Sequence, residues 1–287
     1  MRHGVSSYSF ASFLCSKKMN LYDIVQKAAE LGFEGLELAN IYDDWMGIEV
    51  DLEKLKKTAE EAHIELCSWA ASADYACRDT SAEIARVKKE VDDAAYLGCK
   101  IFRSDICQEG VPDRYAPRII EAIREIAEHC RTKGMVLVTE NHGRCFCRPE
   151  RLEELCRRVD HPNFGLLCDF ANYAIADVDA LQAIGQIRTL VRHVHMKDCH
   201  LLNGDRIFPG DGWHNTIGGN YWRCAITGQG NIPYFQCIKS LKEAGYDGWL
   251  IQEFEGIEDC IYAVEQGLCY AKRLLSALDF DAWKKEQ

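Results

Sequence analysis

The sequence lacks three features that would each mark a class of protein. No run of about 18 apolar residues occurs, so no membrane-spanning helix is expected. The segment after the first predicted strand, Ser6–Phe10, contains no GxGxxG motif, which argues against a dinucleotide-binding sheet. The N-terminal residues show no apolar core followed by a small-residue cleavage site, so no signal peptide is expected. We therefore expect a cytoplasmic protein that does not bind membranes.

Positive charge is also scarce. Lys and Arg number 34 against 45 Asp and Glu, which gives a formal net charge of -11. A protein that grips phosphate backbones needs a basic surface, so nucleic acid is not an expected partner. The expected partner is therefore a small-molecule substrate. The charge does not decide whether the protein forms a homo-oligomer or binds a partner subunit.

Cysteine, by contrast, is abundant, with 15 residues. The count is odd and no CxxC pair occurs, while Cys145 and Cys147 are too close in sequence for a usual structural zinc site. We interpret these cysteines as reduced, mostly buried thiols and assign them no function.

Apolar periodicity predicts strands that alternate with amphipathic helices. Helical segments repeatedly end at a glycine, such as Gly98 and Gly134, and a short apolar run follows. Asn20 is a predicted helix cap, and Thr80 with Glu83 has the spacing of a capping box. The eight predicted strands cover residues 3–8, 33–38, 64–69, 100–104, 135–140, 164–169, 191–196 and 248–252. Seven helical stretches separate them and one follows the last.

Eight such repeats predict an α/β fold, a single (β/α)₈ TIM barrel over residues 1–287. An open doubly wound sheet is the alternative. The longest irregular stretch, residues 199–231, is predicted to be a loop over the C-terminal face. A loop of that length is typical of a lid, and the alternative is a passive insertion or a subunit contact.

Each of the last four predicted strands stops at a residue type that binds metals. These residues are Glu140, Asp169, His195 and Glu253. Strand ends of a barrel converge on one site, and a buried carboxylate is costly unless it is paired or bound to a cation. Singly, each residue has a simpler interpretation as a helix cap or a salt bridge, but together they predict one divalent metal. Three oxygens and one imidazole suit Mn²⁺, with Mg²⁺, Co²⁺ and Zn²⁺ as alternatives.

The predicted metal would act as a Lewis acid on a substrate carbonyl or hydroxyl pair. Glu140 and Glu253 come from strands separated by two others, so they are placed to flank a bound substrate. We predict them as the catalytic residues, one removing a proton from the carbon next to the carbonyl and the other returning it.

At these residues the sequence resembles the xylose-isomerase-like barrel superfamily, the sugar phosphate isomerase/epimerase group. The resemblance covers nearly the whole chain and lies in residues 32–38, 139–143, 162–169, 193–198, 228–233 and 245–255. It implies that the four residues named above are the metal ligands and that Lys197 contacts substrate oxygens. His193 lies one layer deeper than His195 and is interpreted as structural or as a support for the ligand.

Two positions depart from the ketose 3-epimerases of this superfamily. Asn172 stands where they have a histidine, and Phe146 stands where they have a substrate-binding glutamate. These departures count against a free ketohexose 3-epimerase. His142 is a candidate replacement for the lost contact, and its alternative is a solvent-facing loop residue.

The remaining substrate contacts are weaker predictions. Glu37 is either a substrate hydroxyl acceptor or part of a barrel salt bridge with Arg103 or Lys100. Arg223 is the candidate anion contact in the long loop. Aromatic side chains are candidates to wall a sugar pocket; they are Trp69, Phe10, Trp213 and Trp222. The predicted substrate-binding set is His142, Asn172, Lys197, Glu37, Arg223 and Trp69.

The resemblance implies a metal-dependent isomerase or epimerase acting on a keto-sugar or polyol. The alternative is a lyase or dehydratase, which would use the same enediolate chemistry on a keto-polyol or a modified glycoside. A non-catalytic sugar-binding subunit is a third hypothesis, which loss of a ligand would signal, and all four ligands are present. An apurinic endonuclease is disfavoured because Trp69 and Arg103, not histidines, end the third and fourth strands.

Overall fold

The computed structural model describes residues 1–107, 110–111 and 113–286, with side chains up to residue 279. Eight parallel strands close into a barrel in the order β1-β11-β7-β6-β5-β4-β3-β2. The strands are β1 Arg2–Ser6, β2 Gly35–Ala39, β3 Glu65–Ala71, β4 Ile101–Ser104, β5 Val136–Glu140, β6 Phe164–Asp169, β7 Val191–Met196 and β11 Trp249–Gln252. The predicted TIM barrel is therefore confirmed.

Helices surround the barrel. They are α1 Ala11–Cys15, α2 Leu21–Leu31, α3 Leu52–Glu61, α4 Thr80–Leu97, α5 Pro117–Thr132, α6 Gly143–Phe146, α7 Pro149–Val159, α8 Ala180–Ile187, α9 Tyr234–Glu243 and α10 Cys260–Glu286. Short 3₁₀ turns cover Ser7–Phe10, Asp44–Met46 and Asn172–Ala176. The buried face of each amphipathic helix packs on the outer face of the strands, which buries parallel strands such as β6 on both sides.

The helix ends show one confirmed cap and one wrong prediction. Asn20 caps α2 by accepting hydrogen bonds from two backbone N–H groups, as predicted. At α4 the cap is Asp79, one residue before the predicted Thr80, and it accepts from the backbone of Ala82. Glu83 instead accepts a hydrogen bond from the backbone of Asp74.

The long stretch between β7 and β11 carries structure that the sequence did not predict. It contains a three-stranded antiparallel sheet in the order β8-β10-β9, formed by β8 Asp198–Leu202, β9 His214–Asn215 and β10 Tyr221–Ala225. The prediction of an irregular loop is therefore wrong for these residues, because cross-strand pairing through β10 satisfies their backbone groups.

One buried carboxylate fastens this sheet to the barrel. Asp198 accepts hydrogen bonds from the backbone N–H groups of Gly228 and Gly230 through Oδ2, and of Cys199 and Ile232 through Oδ1. The beginning and the end of the insertion therefore converge on a single side chain two residues after the barrel strand β7.

Among the described residues, no helix combines the length and the apolar character needed to cross a membrane.

Candidate metal centre

Four ligand-type side chains meet at the C-terminal end of the barrel. Glu140 and Asp169 are the last residues of β5 and β6, His195 lies near the end of β7, and Glu253 follows β11. These four strands are neighbours in the barrel, and Asp169 pairs directly with His195 in the β6–β7 register. One ligand atom from each residue lies within 4.8 Å of the others, and all four residues are buried.

The distances inside this cluster are longer than hydrogen bonds. His195 Nδ1 lies 3.5 Å from Glu253 Oε2, 3.9 Å from Glu140 Oε1 and 4.0 Å from Asp169 Oδ2. His195 Nδ1 has no hydrogen-bond partner among the described residues, and Asp169 Oδ2 has an ion-pair contact with Lys197 Nζ at 3.2 Å. Ligands about 2.0–2.2 Å from one divalent ion lie roughly 3 Å from each other, so a small contraction would let them share an ion. The donor set therefore fits a divalent metal.

His195 is oriented from below by Glu37. Glu37 Oε1 lies 2.9 Å from His195 Nε2, and Glu37 Oε2 lies 3.2 Å from His193 Nε2 and accepts a hydrogen bond from Ser68 Oγ at 2.9 Å. Burial opposes the charge of Glu37, but the positive charge of His195 and the hydrogen bonds of both histidines outweigh it and hold the pKa of Glu37 well below its usual range. The charge of an ionised Glu37 at 2.9 Å favours a proton on His195 Nε2, which leaves Nδ1 facing the three carboxylates.

Glu140 is held by two side chains. Arg103 donates to Glu140 Oε2 from Nε at 3.0 Å and from Nη2 at 2.7 Å, while Asn172 donates to Oε1 at 2.8 Å. Arg103 also lies 2.9 Å from Asp105. This arrangement fixes the orientation of the carboxylate and compensates its buried charge.

Lys197 joins the other side of the cluster. Its Nζ lies 2.9 Å from Glu253 Oε2, 3.2 Å from Asp169 Oδ2 and 2.8 Å from Glu255 Oε1. Burial would lower the pKa of Lys197, but these carboxylates raise it well above its usual value.

The anionic form of Asp169 is disfavoured in the metal-free cluster. Burial, the largest effect, raises its pKa to about 7; the charges of Glu140 and Glu253 add to this, and Lys197 acts in the opposite direction. A bound divalent cation would favour the ionised carboxylate.

A pocket of about 240 Å³ opens above the cluster. Its lining includes the side chains of Tyr8, Asn40, Asp43, Trp45, Ser72, Arg103, Asp105, Glu140, His142, His195, Lys197, Glu253 and Glu255. A second cavity of about 990 Å³ adjoins it and shares Asp43, Trp45 and His142. The first chamber is small, which suits a compact ligand.

Three of the predicted substrate residues lie at this site. His142 and Lys197 line the pocket, and Asn172 bonds to Glu140 beneath it. His142 Nδ1 lies 3.1 Å from Asp105 Oδ1, and 55% of its side chain is exposed in the pocket. Its pKa is raised, because the hydrogen bond and charge of Asp105 outweigh the lowering effect of burial.

The other three predicted substrate residues, Glu37, Trp69 and Arg223, do not line the pocket. Glu37 is fully buried among Ser68, His193 and His195, and the predicted salt bridge with Arg103 or Lys100 is not formed.

Trp69 is also fully buried, and it donates to Glu90 of α4 at 2.9 Å, on the outer face of the barrel. Arg223 lies in β10, where it is 3.5 Å from Glu258 and stacks near Trp213.

One side of the pocket is an aromatic wall that was not predicted from the sequence. Tyr8 and Trp45 line the pocket with their ring centroids 6.0 Å apart, and Asp43 holds Trp45 through a 3.1 Å hydrogen bond to its Nε1. Their sequence signal is their position: both follow the C-terminal end of a barrel strand within a few residues, where barrel loops face the site.

The match to a known family agrees with this geometry. Residues 25–274 match the model of the xylose isomerase-like TIM barrel, so the chain belongs to this family. It is similar to a 3-dehydroshikimate dehydratase from Bacillus anthracis, with 27% identity over 259 residues and 85% of each chain covered.

Two further relatives widen the comparison. An inosose dehydratase from Lacticaseibacillus casei is 21% identical over 255 residues, which cover 83% of each chain. The solved structure of an L-ribulose 3-epimerase has a TM-score of 0.75 at 15% identity and covers 100% of this chain and 98% of that one, a likeness that shows the fold alone. Both sequence relatives are thus named dehydratases, and the epimerase shares the fold.

Proposed function

We propose that this protein is a divalent-metal-dependent enzyme that removes a proton from the carbon next to a carbonyl of a small keto-polyol or keto-sugar, and that it completes the reaction as a dehydratase. The observation that carries the proposal is the cluster of Glu140, Asp169, His195 and Glu253 beneath a small pocket, with the buried His195 Nδ1 unpartnered among the described residues. The metal, which these four residues would hold, supplies Lewis-acid polarisation of the substrate oxygens. Mn²⁺ or Mg²⁺ suits the oxygen-rich ligand set.

Glu253 is the proposed base. Its contacts with Lys197 and His195 involve Oε2, so Oε1 is available to the substrate. Glu140, the other carboxylate that the sequence predicted as catalytic, has Oε2 engaged by Arg103 and Oε1 by Asn172. Because both of its oxygens already accept hydrogen bonds, Glu140 has no oxygen left to approach the substrate and serves better as a fixed ligand.

His142 is the proposed acid. Asp105 raises its pKa, which favours the protonated ring, and His142 is not one of the metal ligands. In the proposed elimination the C–H bond breaks and its proton passes to Glu253, a C=C bond forms, and the C–O bond to the leaving hydroxyl breaks as His142 gives it a proton. The products are water and the unsaturated ketone, so atoms and charges balance.

Epimerisation is the second candidate, and one observation favours it. Glu140 and Glu253 lie on strands separated by two others, which places carboxylates on two sides of the site. An epimerase needs such a pair, one carboxylate to take the proton and one to return it to the opposite face. Dehydration is preferred here because His142 offers a proton donor for a leaving hydroxyl, and because the 3-dehydroshikimate and inosose dehydratases match over 83–85% of the chain.

The test is to load the purified protein with Mn²⁺ or Mg²⁺ and incubate it with keto-polyols and keto-sugars in D₂O. Deuterium exchange next to the carbonyl together with loss of water supports the dehydratase. Exchange with a product of unchanged mass, apart from deuterium, supports the epimerase. Absence of exchange across the panel by the loaded protein overturns the proposal.

A variant of His142 tests its role as the acid separately from the role of Glu253 as the base. His142→Gln keeps a polar side chain but has no proton to give. The dehydratase proposal expects this variant to retain exchange and to lose the release of water. If exchange and water release fall together, His142 is not the acid of the second step.

A further inference from the structure

The cations of the pocket are already neutralised. Arg103 donates to Glu140 and lies 2.9 Å from Asp105, and only 5% of its side chain is exposed. Lys197 lies within 3.2 Å of Asp169, Glu253 and Glu255, with 4% of its side chain exposed. Neither is free to take a second full anion without giving up one of these carboxylates.

The described lining residues of the adjoining cavity offer no spare cation either. Its lining contains Arg86, which donates to both oxygens of Glu83 and also pairs with Glu90. His142 is engaged by Asp105. Three more carboxylates of that cavity lie on the loops above; they are Asp43, Asp44 and Asp74.

The charge balance of the smaller pocket is therefore negative. Five carboxylates line it against Arg103, Lys197 and His142, which is counted as protonated beside Asp105, and Asp169 lies fully buried behind the lining. If a divalent cation is added and His195 is its neutral ligand, six carboxylates face five positive charges. A phosphate or carboxylate on the substrate would enter this field at the cost of its own hydration, with no unpaired cation among the described lining residues.

The same lining is well suited to hydroxyl groups. Asp43, Asp105 and Glu255 are acceptors, with 23% of the Asp105 and 32% of the Glu255 side chain exposed, and Asn40 and Ser72 add amide and hydroxyl groups. Tyr8 and Trp45 supply an aromatic wall, against which the C–H face of a polyol ring can pack.

Resting on the function proposed above, we propose that the pocket selects an uncharged polyhydroxy ketone and rejects substrates that carry a phosphate or a carboxylate. This chain would then differ in substrate charge from the similar 3-dehydroshikimate dehydratase, whose named substrate is a carboxylic acid.

The experiment compares matched neutral and anionic ligands. Binding to the Mn²⁺-loaded protein is measured by calorimetry for D-fructose against D-fructose 6-phosphate, and for a pentahydroxycyclohexanone against 3-dehydroshikimate. The neutral member of each pair is expected to bind about ten-fold more tightly or better. Equal or tighter binding of the anionic members, or no measurable binding of either neutral ligand, overturns the proposal.

A charge variant tests where the discrimination arises. Glu255→Gln removes one of the three carboxylates around Lys197, so the preference for the neutral ligand should fall several-fold. Glu61→Gln is the matched control, because Glu61 is an exposed residue of α3 paired with Lys57, and it should change nothing. An unchanged preference in Glu255→Gln would contradict the assigned role of Lys197 and its carboxylates.

The charge selection and the proposed chemistry can fail independently of each other. If the neutral ligands bind preferentially but show no exchange in D₂O, the charge selection stands and the proposed chemistry fails. If exchange occurs with an anionic ketone as readily as with a neutral one, the chemistry stands and the charge selection fails.

Discussion

Glu37 Oε1 lies 2.9 Å from Nε2 of His195, and both side chains are almost completely buried inside the barrel. The carboxylate comes from β2 and the imidazole from β7, so the contact crosses the barrel interior. It determines which nitrogen of His195 keeps a free lone pair for a metal, since a carboxylate at Nε2 stabilises the tautomer with its proton there.

Replacing this carboxylate should weaken metal binding. Glu37→Gln removes the charge but keeps the size, and loss of such an outer partner reduces metal affinity by about 10–100-fold. Titration of Mn²⁺ into the metal-free protein by calorimetry measures the change. Glu65→Gln is the control, because Glu65 pairs with Arg2 at the exposed opposite end of the barrel. Unchanged Mn²⁺ affinity in Glu37→Gln would show that His195 needs no such support.

Removing one metal ligand should not destabilise the metal-free protein, but it should destabilise the Mn²⁺-loaded protein. Asp169→Asn keeps the shape but deletes a buried charge that Glu140 and Glu253 repel. Lys197, which lies 3.2 Å from Asp169 Oδ2, keeps Glu253 and Glu255 as partners, so the metal-free variant should be at least as stable as the native protein. The stabilisation by added Mn²⁺ should largely disappear, because a ligand is lost. Thermal unfolding with EDTA and with Mn²⁺ measures both effects. A variant that still gains the full Mn²⁺ shift excludes Asp169 as a ligand.

The metal-free protein should lose stability as the pH rises from about 4 to about 7. In this interval the folded state keeps the proton on Asp169, whose pKa is about 7, while the unfolded chain has released it near the ordinary value of 3.8. The folded state therefore binds more protons, and stability falls with pH until the folded carboxyl ionises.

Metal binding should show the matching dependence. A metal ligand must be deprotonated, so Mn²⁺ affinity should rise with pH and level off above about 7. Calorimetry in two buffers of different ionisation enthalpy detects the released proton. The Asp169→Asn variant should show a flatter unfolding profile, and an equally steep one would assign the proton to another group.

Loss of the loop contact at Asp43 should weaken substrate binding rather than chemistry. Asp43 Oδ2 accepts hydrogen bonds from Asn40, Ser72 and Trp45 at 2.8, 2.8 and 3.1 Å, which places the Trp45 ring at the pocket wall. Asp43→Ala should raise KM by about ten-fold, since each such bond contributes about 1 kcal/mol, while kcat changes little.

The control for this loop is Trp45→Phe, which keeps an aromatic face and loses only the bond to Asp43. A smaller rise in KM is expected for Trp45→Phe than for Asp43→Ala. If kcat falls as strongly as KM rises in Asp43→Ala, the loop acts on the reacting groups and not only on binding.

The barrel could be read from the sequence because its strands are buried on both faces. Short apolar runs such as residues 164–169 are typical of strands in a parallel sheet, and they lie between segments that show helix-end signals. The small sheet of residues 198–225 could not be read in this way. Its strand β9 consists of two exposed polar residues and β10 is only partly buried, so neither shows the buried apolar run of a barrel strand, and their pairing depends on contacts distant in sequence.

The sequence predicted which residue types form the candidate site. It predicted only partly which side chains face the barrel interior. Strand ends located Glu140, Asp169, His195 and Glu253 because parallel strands end on one rim. Trp69 was misplaced because side chains alternate along a strand: its neighbour Ser68 points inward to Glu37, so Trp69 points out to α4.

The bonds at Asp198 make the position of the small sheet independent of the strand ends that carry the metal cluster. Because the insertion leaves and rejoins the barrel at one carboxylate, its outer half, around the almost fully exposed Ile207, can change length or composition without moving the strand that carries His195. This segment can therefore diverge in sequence while the four clustered side chains keep their positions.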